Sequence, residues 1–306
     1  MKYTKPAITL ADQLQRLKDR GLDIRDDASA IQSLENIGYY RLSGYSFAFK
    51  NPPDRRTFKT GVSFDRIIRV YEFDRELRNL LMDAIDRIEI SVRSRIVNAT
   101  CQAWGSHWFM DAARFHRRFN HTQLLDTLER QLGITYDDVT LQRQLPASHP
   151  ETFIEHYYTK YGDPYLPPFW MTGEVLTLGT LSRLYTGLDD ASMKAALSAP
   201  FGVPAKVFGS WLHSLSHLRN TCAHHCRLWN RTFSISPKLA HKHQGIMNAP
   251  NRLEGHLVVV ADALDVTFPG HSFRPRFRQL LASYPEIDPV ALGFAAGWEA
   301  LPFWNL

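Results

Sequence analysis

Residues Ser216-His217-Leu218-Arg219-Asn220-Thr221-Cys222-Ala223-His224-His225-Cys226 put an arginine, an amide and several imidazoles within about two helical turns. A guanidinium presents a charged fork matched to phosphate oxygens, and imidazole is the side chain that exchanges protons near neutrality. These residue types suit cleavage of a phosphodiester. RNA is the fitting target, because its own 2′-hydroxyl can act as the nucleophile once a base removes the proton.

The elements that must position this cluster follow from periodicity. Pro204 suits the first turn of a helix that runs to about His224. Along it Phe208, Trp211, Leu215, Leu218 and Cys222 make an apolar stripe, while His213, His217, Asn220 and His224 form a polar ridge on the other side. At 100° per residue, Arg219 and His224 lie about 140° apart on an ideal helix. Their convergence therefore needs a helix that ends or distorts near Ala223, or a second copy of the helix supplied by a symmetric homodimer.

Two other chemistries use the same residues. His213 and His217 are spaced to share a zinc, but His213 and His224 are about 16 Å apart along a straight helix, too far for one site. No His-Glu-x-x-His or Cys-x-x-Cys is present, so neither a metal nor another cofactor is expected. Cys222 as a nucleophile would need activation, and its place on the apolar stripe reads as core instead. His107, His116, His121, His149 and His156 have no partner spacing.

A chain of 306 residues with 44% hydrophobic content can bury a sizeable core. It contains no apolar run of about 18 residues and no signal-peptide core, so a cytoplasmic protein without membrane contact is expected. Three cysteines, Cys101, Cys222 and Cys226, build no disulfide framework, which agrees with a reducing compartment. The net charge of +5 is unevenly spread: residues 204–280 hold ten Lys/Arg against three acids. A basic zone around an Arg/His cluster is what an anionic substrate would want, and is also compatible with an ordinary solvated face.

Helical periodicity also marks 10–20, 27–37, 64–99, 122–132, 151–161, 174–185, 191–199 and 253–266, with no alternation of strands and helices, so the class is all-α. The strongest pattern is in 64–99, where Phe73, Leu77, Leu80, Ala84, Ile88, Val92 and Ile96 make one stripe and Asp74/Arg78, Asp83/Arg87 and Glu89/Arg93 pair at i,i+4. Glu89 and Arg93 have a second reading as a carboxylate and guanidinium lining a cleft, beside the plain one of a surface ion pair. Arg78-Asn79 repeats the Arg-Asn pair but has Asp83 where a histidine would stand, and reads as helix surface. Residues 39–47 are aromatic and glycine-punctuated, favouring core over base stacking; 104–118 read as loop, 133–149 as a polar insertion, and the end of the chain as a Pro/Phe/Arg-rich tail.

Arg219-Asn220-Thr221-Cys222-Ala223-His224 resembles the arginine, polar residue, three variable residues, histidine signature of HEPN ribonucleases. Tyr39-Tyr40-Arg41-Leu42-Ser43-Gly44-Tyr45, Tyr71-Glu72-Phe73-Asp74-Arg75-Glu76-Leu77-Arg78, Arg87-Ile88-Glu89-Ile90-Ser91-Val92-Arg93 and Ser210-Trp211-Leu212-His213-Ser214-Leu215 resemble the Abi family of bacterial abortive-infection proteins, of the AbiD/AbiF type. The likeness covers roughly residues 8–235. It implies a HEPN-like helical bundle with additional helices, divided as a domain over 1–240 and a helical extension over 241–306.

The resemblance further implies metal-independent endoribonuclease activity as the toxic effector of an antiphage system. Arg219 would neutralise the scissile phosphate, His224 transfer protons and Asn220 orient the histidine or substrate, with His217, His225, Arg227, Glu89 and Arg93 binding RNA or supporting. A toxin needs restraint, so an inhibitory small RNA or an antitoxin protein is expected as partner beside the RNA substrate and a second copy of the chain. The competing reading is a nuclease-inactive RNA-binding regulatory module on the same basic surface.

Overall fold

The computed structural model describes residues 2, 4, 6–136, 143–144 and 153–305. Three short helices, α1 (Leu10–Asp19), α2 (Asp27–Ile37) and α3 (Tyr39–Ser46), precede one of 41 residues, α4 (Phe64–Trp104). At 1.5 Å per residue α4 is about 60 Å long. The Ser63 side chain caps its first turn by accepting from the Arg66 amide, and Gly105, at a φ of 85° that favours glycine, ends it. It therefore runs past the expected end at residue 99. All seven residues of the expected stripe, from Phe73 to Ile96, are buried, and α3 and most of the helices that follow pack around α4 as a spine.

The rest of the chain is α5 (His121–Gln131), α6 (Phe153–Lys160), α7 (Phe169–Thr172), α8 (Leu178–Gly187), α9 (Ala191–Ser198), α10 (Ala205–Ala223), α11 (Leu253–Thr267) and α12 (Phe273–Ser283). Only a two-residue antiparallel pair, β1 (Thr135–Tyr136) with β2 (Arg143–Gln144), interrupts an all-α protein among the described residues. Most of the polar insertion expected at 133–149 lies outside them. No helix among the described residues is long and apolar enough to cross a membrane.

Three sequence expectations change. The aromatic stretch at 39–47 is the helix α3 with a short 3-10 turn after it; Tyr45 is core, whereas Tyr40 is 91% exposed. The tail contains α12, whose Pro275 sits in the first turn, where a missing amide proton removes no helical hydrogen bond. Arg78 is not helix surface: it is buried and bonds the fully buried Asp74 at 2.6 Å.

Helix α11 is buried from Leu253 to Leu264 and packs against α4 and α10. Its His256 places Nδ1 and Nε2 each 3.1 Å from a carbonyl oxygen, of Arg252 and Ile235. Burial pulls the ring down to about 4 against those two carbonyls, with the nearby charges of His217 and Arg231 acting in the same direction as burial. A histidine depressed on folding stabilises the native state above its unfolded pKa near 6.5, and that contribution is lost as pH falls toward 4. Urea unfolding at pH 7 and pH 4.5 should show about 2–3 kcal/mol more acid destabilisation in the parent than in His256→Gln. Equal losses in both would refute this role for His256.

Candidate active site

Helix α10 starts one residue after Pro204, which takes the cap position, and Phe208, Trp211, Leu215, Leu218 and Cys222 are all buried as their spacing requires. Burial pushes the Cys222 thiol up to about 12, so it is a core side chain and no nucleophile at neutral pH. Close packing of α10 on α8 depends on Gly209, where an added Cβ would sit 3.1 Å from the Thr186 methyl, and on Gly179, 3.1 Å from Ser216 Oγ.

The helix ends at Ala223. His224 is the cap, His225 turns left-handed at φ 55°, the His225 amide donates to Cys222 O and the Cys226 amide to Thr221 O, both at 2.9 Å. This pair of bonds is the Schellman arrangement, with histidine where glycine is usual. The chain leaves the helical path after His224, whose amide still donates to Asn220 O at 3.0 Å, and Arg219, Asn220, His224 and His225 are all exposed at this helix end. Among the described residues Arg219 and His224 share no hydrogen bond; the guanidinium donates to Asn220 Oδ1 at 3.5 Å. His225→Gly should raise unfolding stability by roughly 1 kcal/mol, because a β-carbon at positive φ is strained and glycine's is absent. A loss of stability in a urea titration would show that the His225 ring holds the turn.

The helix end is fastened from the other half of the chain. Arg41 Nη1 donates to His225 O at 2.6 Å, and Arg227 Nη1 to Gly44 O at 2.5 Å. Beneath them the Asp74 carboxylate accepts from the amides of Leu228 and Trp229, from Tyr45 OH at 2.7 Å and from Arg78. Burial drives the Asp74 carboxyl upward, while Arg78, Tyr45 and the two amides favour its charged form. These supports went unnoticed in the sequence; the only local hint was Asp74/Arg78 at i,i+4, which is equally the mark of a surface pair.

The remaining candidates are placed as follows. His217 is half-buried with its ring edge-on to Phe233, and burial, then Arg231 and His213, hold it below its ordinary pKa. Arg227 is half-buried in its bond to Gly44. Glu89 and Arg93 bond each other at 2.9 Å, and Arg93 also donates to Leu176 O. That pair is largely buried and ties the approach to α8 onto α4; it shares no hydrogen bond with the motif. The basic zone is not one surface either. Lys242 pairs with Asp262, Arg274 with Asp265 and Arg276 with Asp83, and Arg252 donates to Ala291 O.

Comparison with known protein families matches the chain to the model of the family described as Abi-like protein, over residues 32–230. No curated protein and no solved structure matches the chain. The matched span holds α3, α4, α8 and α10, and with them Arg41, Asp74 and the exposed helix end. Since it takes in well over half of the sequence, the chain belongs to the Abi-like family, and that membership supports a role in abortive infection.

Proposed function

We propose that the chain is a metal-independent endoribonuclease, of the HEPN type, acting as the toxic effector of an abortive-infection system. The observation that carries this reading is the exposed helix end, where Arg219, Asn220 and His224 stand together on a turn fastened to α3 and α4. In this reaction the RNA 2′-oxygen loses its proton and attacks phosphorus, the 5′-oxygen of the next nucleotide leaves and takes up a proton, and a cyclic phosphate remains. Arg219, whose guanidinium is otherwise almost unengaged, neutralises the phosphate oxygens as negative charge builds on them. His224 moves one proton, and Asn220 orients it or the substrate.

Two proton transfers need two groups, so the second copy of the motif in a homodimer supplies the other histidine. A monomer with full activity in a combined sizing and cleavage assay would overturn that part. Tyr40, exposed and one residue before the Arg41 that holds His225 O, offers a flat face for a base to stack on. Because such an enzyme threatens its own cell, an inhibitory small RNA or an antitoxin protein restrains it.

The deciding experiment is incubation of total RNA with the parent, His224→Ala and Arg219→Ala chains in EDTA. Cutting by the parent that both variants lose supports the proposal. Tight binding without cutting points instead to a nuclease-inactive RNA-binding regulator.

A further inference from the structure

Between α8 and α10 runs a groove of about 890 Å³. Arg183, Lys194, Lys206 and His213 line it with several serines and threonines, and no aspartate or glutamate does. None of the four has a carboxylate within 4 Å among the described residues. Arg183, Lys206 and His213 are exposed. Cations such as Lys242, Arg274 and Arg276 are neutralised by aspartates, whereas those of the groove have no acid beside them.

We propose that this groove binds the sugar–phosphate backbone of single-stranded RNA and leads it to the exposed end of α10. The inference rests on the reading of the chain as acting on RNA, and names where the substrate lies beyond the reacting phosphate. Cations and hydroxyl donors without acids are the lining that phosphate oxygens and 2′-hydroxyls require, and positive charge inside a concave surface concentrates a polyanion. A basic protein segment would find no matching surface there.

Position supplies the second argument. His213 belongs to the groove wall and also begins the ridge that continues through His217 and Asn220 to His224. The distance from His213 to His224 is about 16 Å along the axis. A strand lying in the groove therefore passes along the same helix to Arg219 and His224 without crossing the body of the protein.

The test uses the full chain carrying His224→Ala, so that bound RNA stays intact whether or not the parent cuts. Fluorescence anisotropy with a labelled single-stranded RNA of about 20 nucleotides is followed across a salt series, with and without Arg183→Gln and Lys206→Gln together. Loss of two phosphate contacts should weaken binding on the order of tenfold at 0.1 M salt and reduce the slope of log affinity against log salt by about 1.4. Crosslinking with 4-thiouridine-substituted RNA should mark peptides of α8 and the first half of α10. Unchanged affinity and slope, or crosslinks confined to other elements, would overturn the proposal. So would variants that alter the oligomeric state in sedimentation without altering RNA affinity, since the groove would then be a contact between copies of this chain. Absence of cutting by the parent would defeat the nuclease reading while leaving the binding result to stand by itself.

Discussion

On the proposed nuclease reading, His224→Ala is expected to slow RNA cleavage by about 10²–10⁴-fold, the usual weight of one positioned acid or base. Folding should be almost untouched, within roughly 0.5 kcal/mol, since the side chain is exposed and residue 224 caps the helix through its backbone alone. The turn needs only the backbone of residue 224, whose amide donates to Asn220 O at 3.0 Å. Arg219→Ala should fall in a similar range by removing the charge that meets the phosphate, roughly 10²–10³-fold. Arg219→Lys should recover only part, because an ammonium is a point charge without the planar fork. Initial rates on a fluorescent RNA, paired with urea midpoints for each variant, check both halves of this expectation. Should His224→Ala keep its rate while His225→Ala loses it, the proton-transfer role moves one residue along.

Asp74→Ala should destabilise the protein by about 3–5 kcal/mol, the range for breaking a buried ion pair by removing one partner. The loss has three parts: Arg78 keeps a buried charge with no counter-ion, Tyr45 loses its acceptor, and the amides of Leu228 and Trp229 lose theirs. Asp74→Asn retains one oxygen acceptor and should lose less. Urea unfolding reads the stability, and hydrogen exchange reads the place: protection should fall first at 224–229 and then more widely. A stability loss below about 1 kcal/mol would mean that water replaces the carboxylate at little penalty. Combining Asp74→Ala with Arg78→Met should restore part of the loss, because the uncompensated charge disappears along with its former partner.

Helix α10 was legible because its two faces differ in every turn: the five stripe residues are apolar and the ridge is His or Asn. The same arithmetic that separates Arg219 from His224 by about 140° asks for either an interruption near Ala223 or a second copy of the helix; the helix ends at Ala223, and Arg219 and His224 share no hydrogen bond among the described residues. What could not be read was the manner of its ending, since two histidines in succession carry no glycine signal for a left-handed turn. Helix α3 was hidden by Gly38, Gly44 and three tyrosines, which blur the apolar period, and its formation depends on packing against α4. Helix α12 was hidden by Pro275 and three arginines. Arg78 was misplaced for a different reason: its burial is decided by Tyr45 and by backbone amides more than 150 residues away, and no local pattern encodes those.

Separation along the chain has one more effect. The contacts that fasten the exposed helix end join residues 183, 184 and 154 positions apart: Arg227 to Gly44, Arg41 to His225, and Leu228 to Asp74. Contacts of such long range form late in folding, since a large loop must close before they yield anything. During synthesis the first half of the chain waits on the ribosome with Asp74 bonded to Tyr45 and Arg78 but without the amides of Leu228 and Trp229, and the turn cannot lock until residue 229 and its neighbours have emerged. A nascent or truncated chain therefore has no assembled Arg219–His224 end, and whatever this end does is confined to finished molecules.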